Sequence, residues 1–438
     1  MYKYIHTTSS VITRGKKKDL IKDYVSNYLF SLYYAFTVNS FGFDSVDRFA
    51  INKVRVFYEN LYKNEELFID SGGYSIIVGD VNPRDVQILI DCYHYFAENY
   101  KDIYHKILSL DIPVFLNYPQ YNNIKTIYDY NYTSISKSKE MLKNNKDLYD
   151  KYIFVWHFKI KKQFEIWKNL YNEFFEDDYN LNKFAIGGLV GLRGTTGIKF
   201  SPFIVPIYRI LKAIEKRGNL HDKYLIHILG VYGLHDRLTM QFMEKLINNY
   251  YFKNNNFETD ISYDTINYQV SGFYKSRHFP LFEMFNCNPL KSPKDKYHIL
   301  IKRLFKQKNI QDELMEEIER ILGNKEMKDM EFFSLTYTVY SQILDWSMKK
   351  FIDNERILEI FLECKNFNIL KNKLLPIFNN KTKNYPFSLK GLRENLLSNF
   401  FWLSNLHLIW ENDADMNRID KGIEKFIEQI NFPADLDN

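Results

Sequence analysis

The feature that most limits how this chain folds is a recurrence in its first 285 residues. A short apolar run rich in β-forming residues is followed by a turn signal and then by a stretch of helix-like spacing. The runs are Glu66–Asp70, Ile107–Asp111, Ile153–Trp156, Phe184–Gly187, Leu225–Leu229 and Ile261–Asp264, and Ala35–Val38 supplies another. Strands separated by helices in this way predict parallel βα units. Six or more of them over such a span suit an α/β fold of the (β/α)8 TIM-like barrel type, with a doubly wound open sheet as the alternative. No glycine-rich dinucleotide fingerprint follows the first run, which counts against a Rossmann-type cofactor site. After about Leu290 the texture changes. The segments Tyr297–Leu322, Phe333–Phe351, Arg356–Phe367 and Leu392–Ile409 carry helical apolar spacing with Lys and Glu between. The expected organisation is a barrel over residues 1–285 and a mostly α-helical C-terminal domain over residues 286–438. The two join at Cys287–Asp295, which contains Pro289 and Pro293.

Composition narrows the class further. Gly 17 and Pro 11 in 438 residues exclude collagen-like and Gly/Pro low-complexity chains, and 45% apolar residues exclude wholesale disorder. The three cysteines, Cys92, Cys287 and Cys364, are few and far apart, which argues against a disulfide framework and for a reducing, cytoplasmic location. The start of the chain has no apolar core of a signal peptide, and no uninterrupted apolar stretch is long enough to predict a membrane span. A net charge of +5 is too small to argue for a nucleic-acid partner. Lys, Asn, Ile, Tyr and Phe dominate, as an AT-rich genome would produce, so abundant aromatics and lysines carry no functional weight alone.

Three aspartates, Asp70, Asp111 and Asp264, fall at the ends of apolar runs. In a parallel barrel the strand C-termini share one face, and that face holds the active site. A strand-end Asp is also a common turn starter that bonds its own backbone two residues on. The coincidence of three favours chemistry. Asp70 opens Asp70-Ser71-Gly72-Gly73-Tyr74, where two glycines let backbone approach a flat ligand and Tyr74 offers a ring to stack on it. A second glycine cluster, Gly187-Gly188-Leu189-Val190-Gly191-Leu192-Arg193-Gly194, lacks the Lys-Ser/Thr of a P-loop, so it reads as a backbone wall or as a plain strand-to-helix turn. His227 lies before Leu229-Gly230 and His235 after. Neither has partners at metal-ligand spacing, and a lone His is more often a satisfied structural residue. Cys287 has no ligand set beside it, so no metal site is expected. The basic stretch Arg14–Lys18 and the lysines near residues 297–308 are as well explained by solvated faces as by phosphate contacts.

Taken in order, these blocks resemble the tRNA-guanine transglycosylase superfamily. Asp70-Ser-Gly-Gly-Tyr74 resembles that family's Asp-Ser-Gly-Gly-Phe-Gln motif. Leu110-Asp-Ile-Pro113 is similar to the Leu-Asp-Ile-Pro of archaeal members, and Gly187-Gly-Leu189 to the Gly-Gly-Leu block. His227-Ile-Leu-Gly-Val-Tyr-Gly233 is similar to the His-x-x-Gly-x-Gly segment, with one residue more. Tyr263-Asp-Thr-Ile-Asn-Tyr268 resembles the archaeal run around the nucleophile. Order and spacing agree over residues 66–278. Three departures stand out: Ser75 replaces the glutamine closing the first motif, Trp156-His157 stands where a glutamine-glycine pair is expected, and the family's Cys-rich zinc site is missing after Asp264. These departures are most like the divergent phage and bacterial enzymes that insert 7-deazaguanines into DNA.

The resemblance implies replacement of guanine in DNA by a 7-deazaguanine of the preQ0 type, without strand scission. Asp264 would be the nucleophile and Asp70 the general acid and base. Asp111 would accept hydrogen bonds from the base edge. Ser71, Gly72, Gly73, Tyr74, Gly187, Gly188, Leu189, Leu229 and Gly230 would bound the base, and Arg193, Lys275 and Arg277 would line the nucleic-acid path. The implied partners are DNA, the free 7-deazaguanine base and a protein that helps open a duplex. No cofactor or metal is expected. The helical domain is the candidate for handling nucleic acid. The alternatives are the same exchange on tRNA and a catalytically silent subunit that only binds nucleic acid.

Overall fold

The computed structural model describes residues 3–7, 27–35, 42–59, 66–73, 85–112, 124–157, 161–188, 221–230, 234–251, 258–265, 352–363 and 366–379, with isolated positions between 203 and 214. Eight strands pair in chain order and close on themselves. They are β1 (Lys3–Thr7), β2 (Asn27–Ser31), β3 (Glu66–Asp70), β4 (Lys106–Leu108), β5 (Tyr152–His157), β6 (Lys183–Gly187), β7 (Lys223–Ile228) and β8 (Glu258–Thr265). Every pairing is parallel, including β1 with β8, where Ile5 stands opposite Asp264. Helices α1 (Ile51–Tyr58), α2 (Val86–Asn99), α3 (Ile124–Asn144), α4 (Lys161–Phe175) and α5 (Leu234–Leu246) lie in the connections. The expected α/β architecture with a parallel, barrel-forming sheet is observed.

Strand side chains alternate between two faces. Leu29, Phe68, Leu108, Ile153, Val155 and Ala185 form one buried cluster, with Leu225 and Leu229 packed against it. They fill the interior, each large side chain worth roughly 1.5–3 kcal/mol on burial. The alternate residues face the helices. Phe30 packs on Phe57 of α1 with ring centres 4.9 Å apart, and Trp156 on Tyr171 of α4 at 5.0 Å. Both faces are therefore apolar, and β5 and β6 are buried along their whole length. The same period of two carries the interior face to the strand ends. Two residues beyond Phe68 is Asp70, beyond Val155 is His157, beyond Ala185 is Gly187, and beyond Leu225 is His227. The fold thus delivers these four positions to one face at the barrel's C-terminal end.

Several boundaries differ from the sequence expectation. No strand begins at Ala35, which closes a 3-10 turn over Leu32–Ala35, and positions 36–38 lie outside the described residues. The strand of that region is Asn27–Ser31, and β1 precedes it. The run Ile107–Asp111 leaves the sheet after Leu108, so Asp111 sits on a loop. In the C-terminal region, the helix expected over Arg356–Phe367 is two elements, α6 (Glu355–Glu363) and α7 (Phe367–Asn379). Asn366 causes the restart: its Oδ1 accepts the backbone N–H groups of Asn368 at 2.9 Å and Ile369 at 3.3 Å, an N-cap for α7. Lys245 on α5 donates to Asp353 at 2.8 Å, which ties the barrel to the segment before α6. The joint at Cys287–Asp295 and the segments Tyr297–Leu322, Phe333–Phe351 and Leu392–Ile409 lie outside the described residues. Among the described residues, no helix is long and apolar enough to cross a membrane.

Candidate active site

The loop after β3 is built around its own aspartate. Gly72 N–H donates to Asp70 Oδ2 at 3.1 Å, and Gly73 N–H donates to Ser71 Oγ at 3.2 Å. Gly72 takes φ 81°. A Cβ there would also stand 2.4 Å from Tyr33 Cβ and 2.6 Å from Ser31 Oγ. Only glycine fits this turn. Asp70 therefore caps a turn, as a strand-end Asp commonly does, and also joins a cluster of charge.

Asp111 reaches that cluster from the neighbouring loop, which α3 holds in place. Asn131 Oδ1 accepts Ile112 N–H at 2.8 Å, Asn131 Nδ2 donates to Ile112 O at 2.9 Å, and Ser134 Oγ donates to Leu110 O at 2.8 Å. Between these clamps, Asp111 is 5% exposed. Its Oδ1 faces the Ser71 hydroxyl at 3.4 Å, and its Oδ2 shares a hydrogen bond with His157 Nδ1.

On the opposite side of the mouth, Asp264 is 6% exposed near the end of β8. Its Oδ1 accepts the Gly230 N–H at 3.0 Å and stands 3.4 Å from Nε2 of the fully buried His227. His227 Nδ1 pairs with Ser262 Oγ at 2.9 Å, and its ring packs against Phe68 at 5.6 Å between centres. Gly230 has φ 71°, and that turn aims its N–H at the carboxylate.

The three carboxylates act on one another. Burial, then Asp111, then Asp264 push the Asp70 carboxyl up from 3.8 to about 7, against the lowering effect of the Gly72 and Ser71 backbone. A shift of this size corresponds to roughly 4 kcal/mol against the ionised form. Asp70 is thus held where protonated and ionised forms coexist near neutrality, as a group that both gives and takes a proton requires.

The structure brings together Asp70, Ser71, Gly72, Gly73, Asp111, Gly187, Gly188, Leu229, Gly230 and Asp264 at the C-terminal ends of β3 to β8. Tyr74, Leu189, Arg193, Lys275 and Arg277 lie outside the described residues. Two members of the mouth were not among the expected site residues. His157 stood out in the sequence only as a departure from a motif, and His227 as a lone histidine. Each lies two residues beyond an interior apolar position, and that spacing was the available signal. Among the described residues, no group of His, Cys, Asp and Glu is placed to hold a metal ion. The zinc site of the resembled family needs a Cys-rich set after the nucleophile. The sequence there has only Cys287 and, far away, Cys364, so its donors do not fit that site. No family model matches the chain, and no curated protein matches it.

Proposed function

We propose that this protein is a base-exchange transglycosylase that replaces guanine in DNA with a free 7-deazaguanine. The observation that carries the reading is the trio Asp70, Asp111 and Asp264 at the ends or end-loops of β3, β4 and β8, with the Asp70 carboxyl raised to about 7 by burial and its two neighbours. A carboxyl held near neutrality together with a second carboxylate at one reaction centre is what glycosyl transfer through a covalent intermediate requires.

In this mechanism an Asp264 carboxylate oxygen attacks C1′ of the target nucleotide. The C1′–N9 bond breaks, and its electron pair goes to the departing purine. Asp70 supplies the proton that neutralises the leaving base. Asp70, now ionised, takes the ring N–H proton of the incoming base. That base attacks C1′ and releases Asp264 from the glycosyl ester. Atoms, charge and protons balance over the cycle, and no energy source is consumed. Asp111 accepts hydrogen bonds from the N–H groups of the base edge. The resemblance assigns Gly187, Gly188 and Leu189 to one side of the base, Tyr74 to stacking on one face, and Leu229 and Gly230 to the other face. A nucleotide inside a duplex stack is out of reach, so the target is flipped or single-stranded. Arg193, Lys275 and Arg277 are assigned to the backbone of the strand, and the helical C-terminal region to DNA handling.

The test is an exchange assay on the full chain. Labelled guanine or preQ0 is offered with single-stranded DNA, with duplex DNA and, separately, with unmodified tRNA, and nucleosides are read by mass spectrometry. Label in DNA that disappears with Asp264→Asn supports the proposal. Label in tRNA alone reassigns the substrate, and no label in any arm removes the exchange reading.

A further inference from the structure

His227 is fully buried in the mouth, and the exchange steps give it no part. Two strands and one ring fix its place. On β7 it stands opposite Ser262 of β8 in the parallel register, and its Nδ1 pairs with Ser262 Oγ at 2.9 Å. Phe68 packs against the imidazole at 5.6 Å between ring centres. Ser262 and Asp264 are two residues apart and so share one face of β8. The imidazole spans the gap between them, with Nε2 3.4 Å from Asp264 Oδ1. That separation is longer than a formed hydrogen bond, and Nε2 is a buried polar atom with no hydrogen-bond partner. An unpaired buried donor is costly, so charge placed on Oδ1 draws this contact closed.

An ionised carboxylate only accepts hydrogen bonds, so the ring nitrogen that faces it carries a proton. Nε2 is therefore a donor whether or not Nδ1 also holds one. The Gly230 N–H donates to the same oxygen at 3.0 Å. A hydrogen bond to a charged acceptor is roughly twice as strong as one to a neutral acceptor. During exchange Asp264 begins as a carboxylate, becomes a neutral glycosyl ester and returns to a carboxylate. Donors aimed at Oδ1 thus favour the two charged ends of the cycle over the ester between them.

We propose that His227 is a positioning residue for the second half of the exchange: its Nε2–H meets the negative charge that returns to Asp264 Oδ1. In that half the incoming base nitrogen forms its bond to C1′ and gives its proton to Asp70. The bond from C1′ to Asp264 breaks, and its electron pair goes to the carboxylate. The assignment rests on the base-exchange reading and adds a consequence of its own. Loss of the Nε2–H shifts the balance between carboxylate and glycosyl ester about tenfold toward the ester, and slows release by a similar factor. A side chain that only filled space would not move that balance.

The experiment uses the full chain with a single-stranded guanine-containing oligonucleotide and a fixed concentration of added guanine. The covalent fraction is read by intact mass after a denaturing quench, and its decay is followed during a chase with preQ0. His227→Phe and His227→Met both remove the donor and keep an apolar filling, and whichever melts like wild type is read. Either is expected to show a ratio of covalent to free protein about tenfold above wild type and a chase about tenfold slower. His227→Gln restores an N–H donor and is expected to match wild type within about threefold. If wild type exchanges labelled guanine but the ratio and the chase are the same in the donor-less variant, the role of His227 is overturned and the exchange reading stands. Loss of the adduct in a donor-less variant that melts like wild type overturns that role as well. No exchange of labelled guanine by wild type overturns the base-exchange reading, and this assignment with it.

Discussion

The two ends of the barrel grow from the same eight strands and treat charge in opposite ways. At the N-terminal end, β4, β6 and β7 begin on lysines, and each ammonium has an oxygen partner. Lys183 is 8% exposed, donates to Tyr149 O at 3.2 Å and to Asn182 Oδ1 at 2.6 Å, and is pushed down to about 8 mainly by burial. Lys106 donates to Asp150 O at 3.1 Å and lies 3.7 Å from Glu66, and Lys223 lies 2.7 Å from Asp260. At the C-terminal end, carboxylates face carboxylates, and Asp70 is raised by burial first and then by Asp111 and Asp264. Asp178, away from the mouth, shows that burial alone is not the distinction. It is as buried as Asp264, yet it pairs with Lys139, the Tyr149 hydroxyl at 2.7 Å and Asn180 N–H at 3.1 Å. Compensated charge builds the floor of the barrel, and like charge gathered in one mouth is the mark of a site that does chemistry.

The sharpest way to break this contrast is Asp264→Asn. Asparagine keeps an oxygen for the Gly230 N–H, so the fold should hold, while exchange should fall by about four orders of magnitude or more. A thermal melt together with the labelled-base assay checks both halves. Asp70→Asn should cost about 10²- to 10⁴-fold in exchange and remove the pH limb near 7. The same variant tests stability. A carboxyl raised from 3.8 to about 7 binds its proton more tightly in the folded state, so stability falls as pH rises through that window. Asp70→Asn should therefore be more stable than wild type at pH 8, by at most on the order of 4 kcal/mol, and should lose that advantage below about pH 4, as denaturant titrations at the two pH values would read. Gly72→Ala forces a side chain into φ 81° and against Tyr33, so a loss of roughly 1–3 kcal/mol is expected, with the melting temperature as readout. The smallest effect belongs to the floor. Lys183→Met should move stability by no more than about 1–2 kcal/mol and leave exchange unchanged. A large loss of exchange there would erase the distinction between the ends.

Much of the barrel was legible because its strands are buried on both faces and stand out as short apolar runs. Glu66–Asp70 matches β3 at both ends; the runs for β5, β6 and β8 were right in place and short at their edges, and the run for β7 began two residues late and passed its end by one, at Leu229. Their polar first residues, such as Lys183 and Lys223, belong to the floor, and apolarity does not reveal them. β2 was missed because its ends are polar for tertiary reasons: Asn27 Oδ1 accepts Glu66 N–H at 3.2 Å, and Ser31 fills the space beside Gly72. Asp111 was read as a strand end, while its position is set by Asn131 and Ser134 on α3, far along the chain. The carboxylate trio could be found from spacing alone. For the histidines, spacing marks only the face they share, because their partners Asp111, Ser262 and Asp264 come from other strands and loops.

The central claim is that the carboxylate mouth carries a glycosyl group on Asp264. Its most direct test is to quench the full chain during turnover with a single-stranded guanine-containing oligonucleotide and to read intact mass. The expected result is a protein–oligonucleotide adduct that maps to the Asp264 peptide, disappears on a chase with free 7-deazaguanine, and never forms in Asp264→Asn. Exchange that proceeds in Asp264→Asn, or an adduct on a different residue, would contradict it.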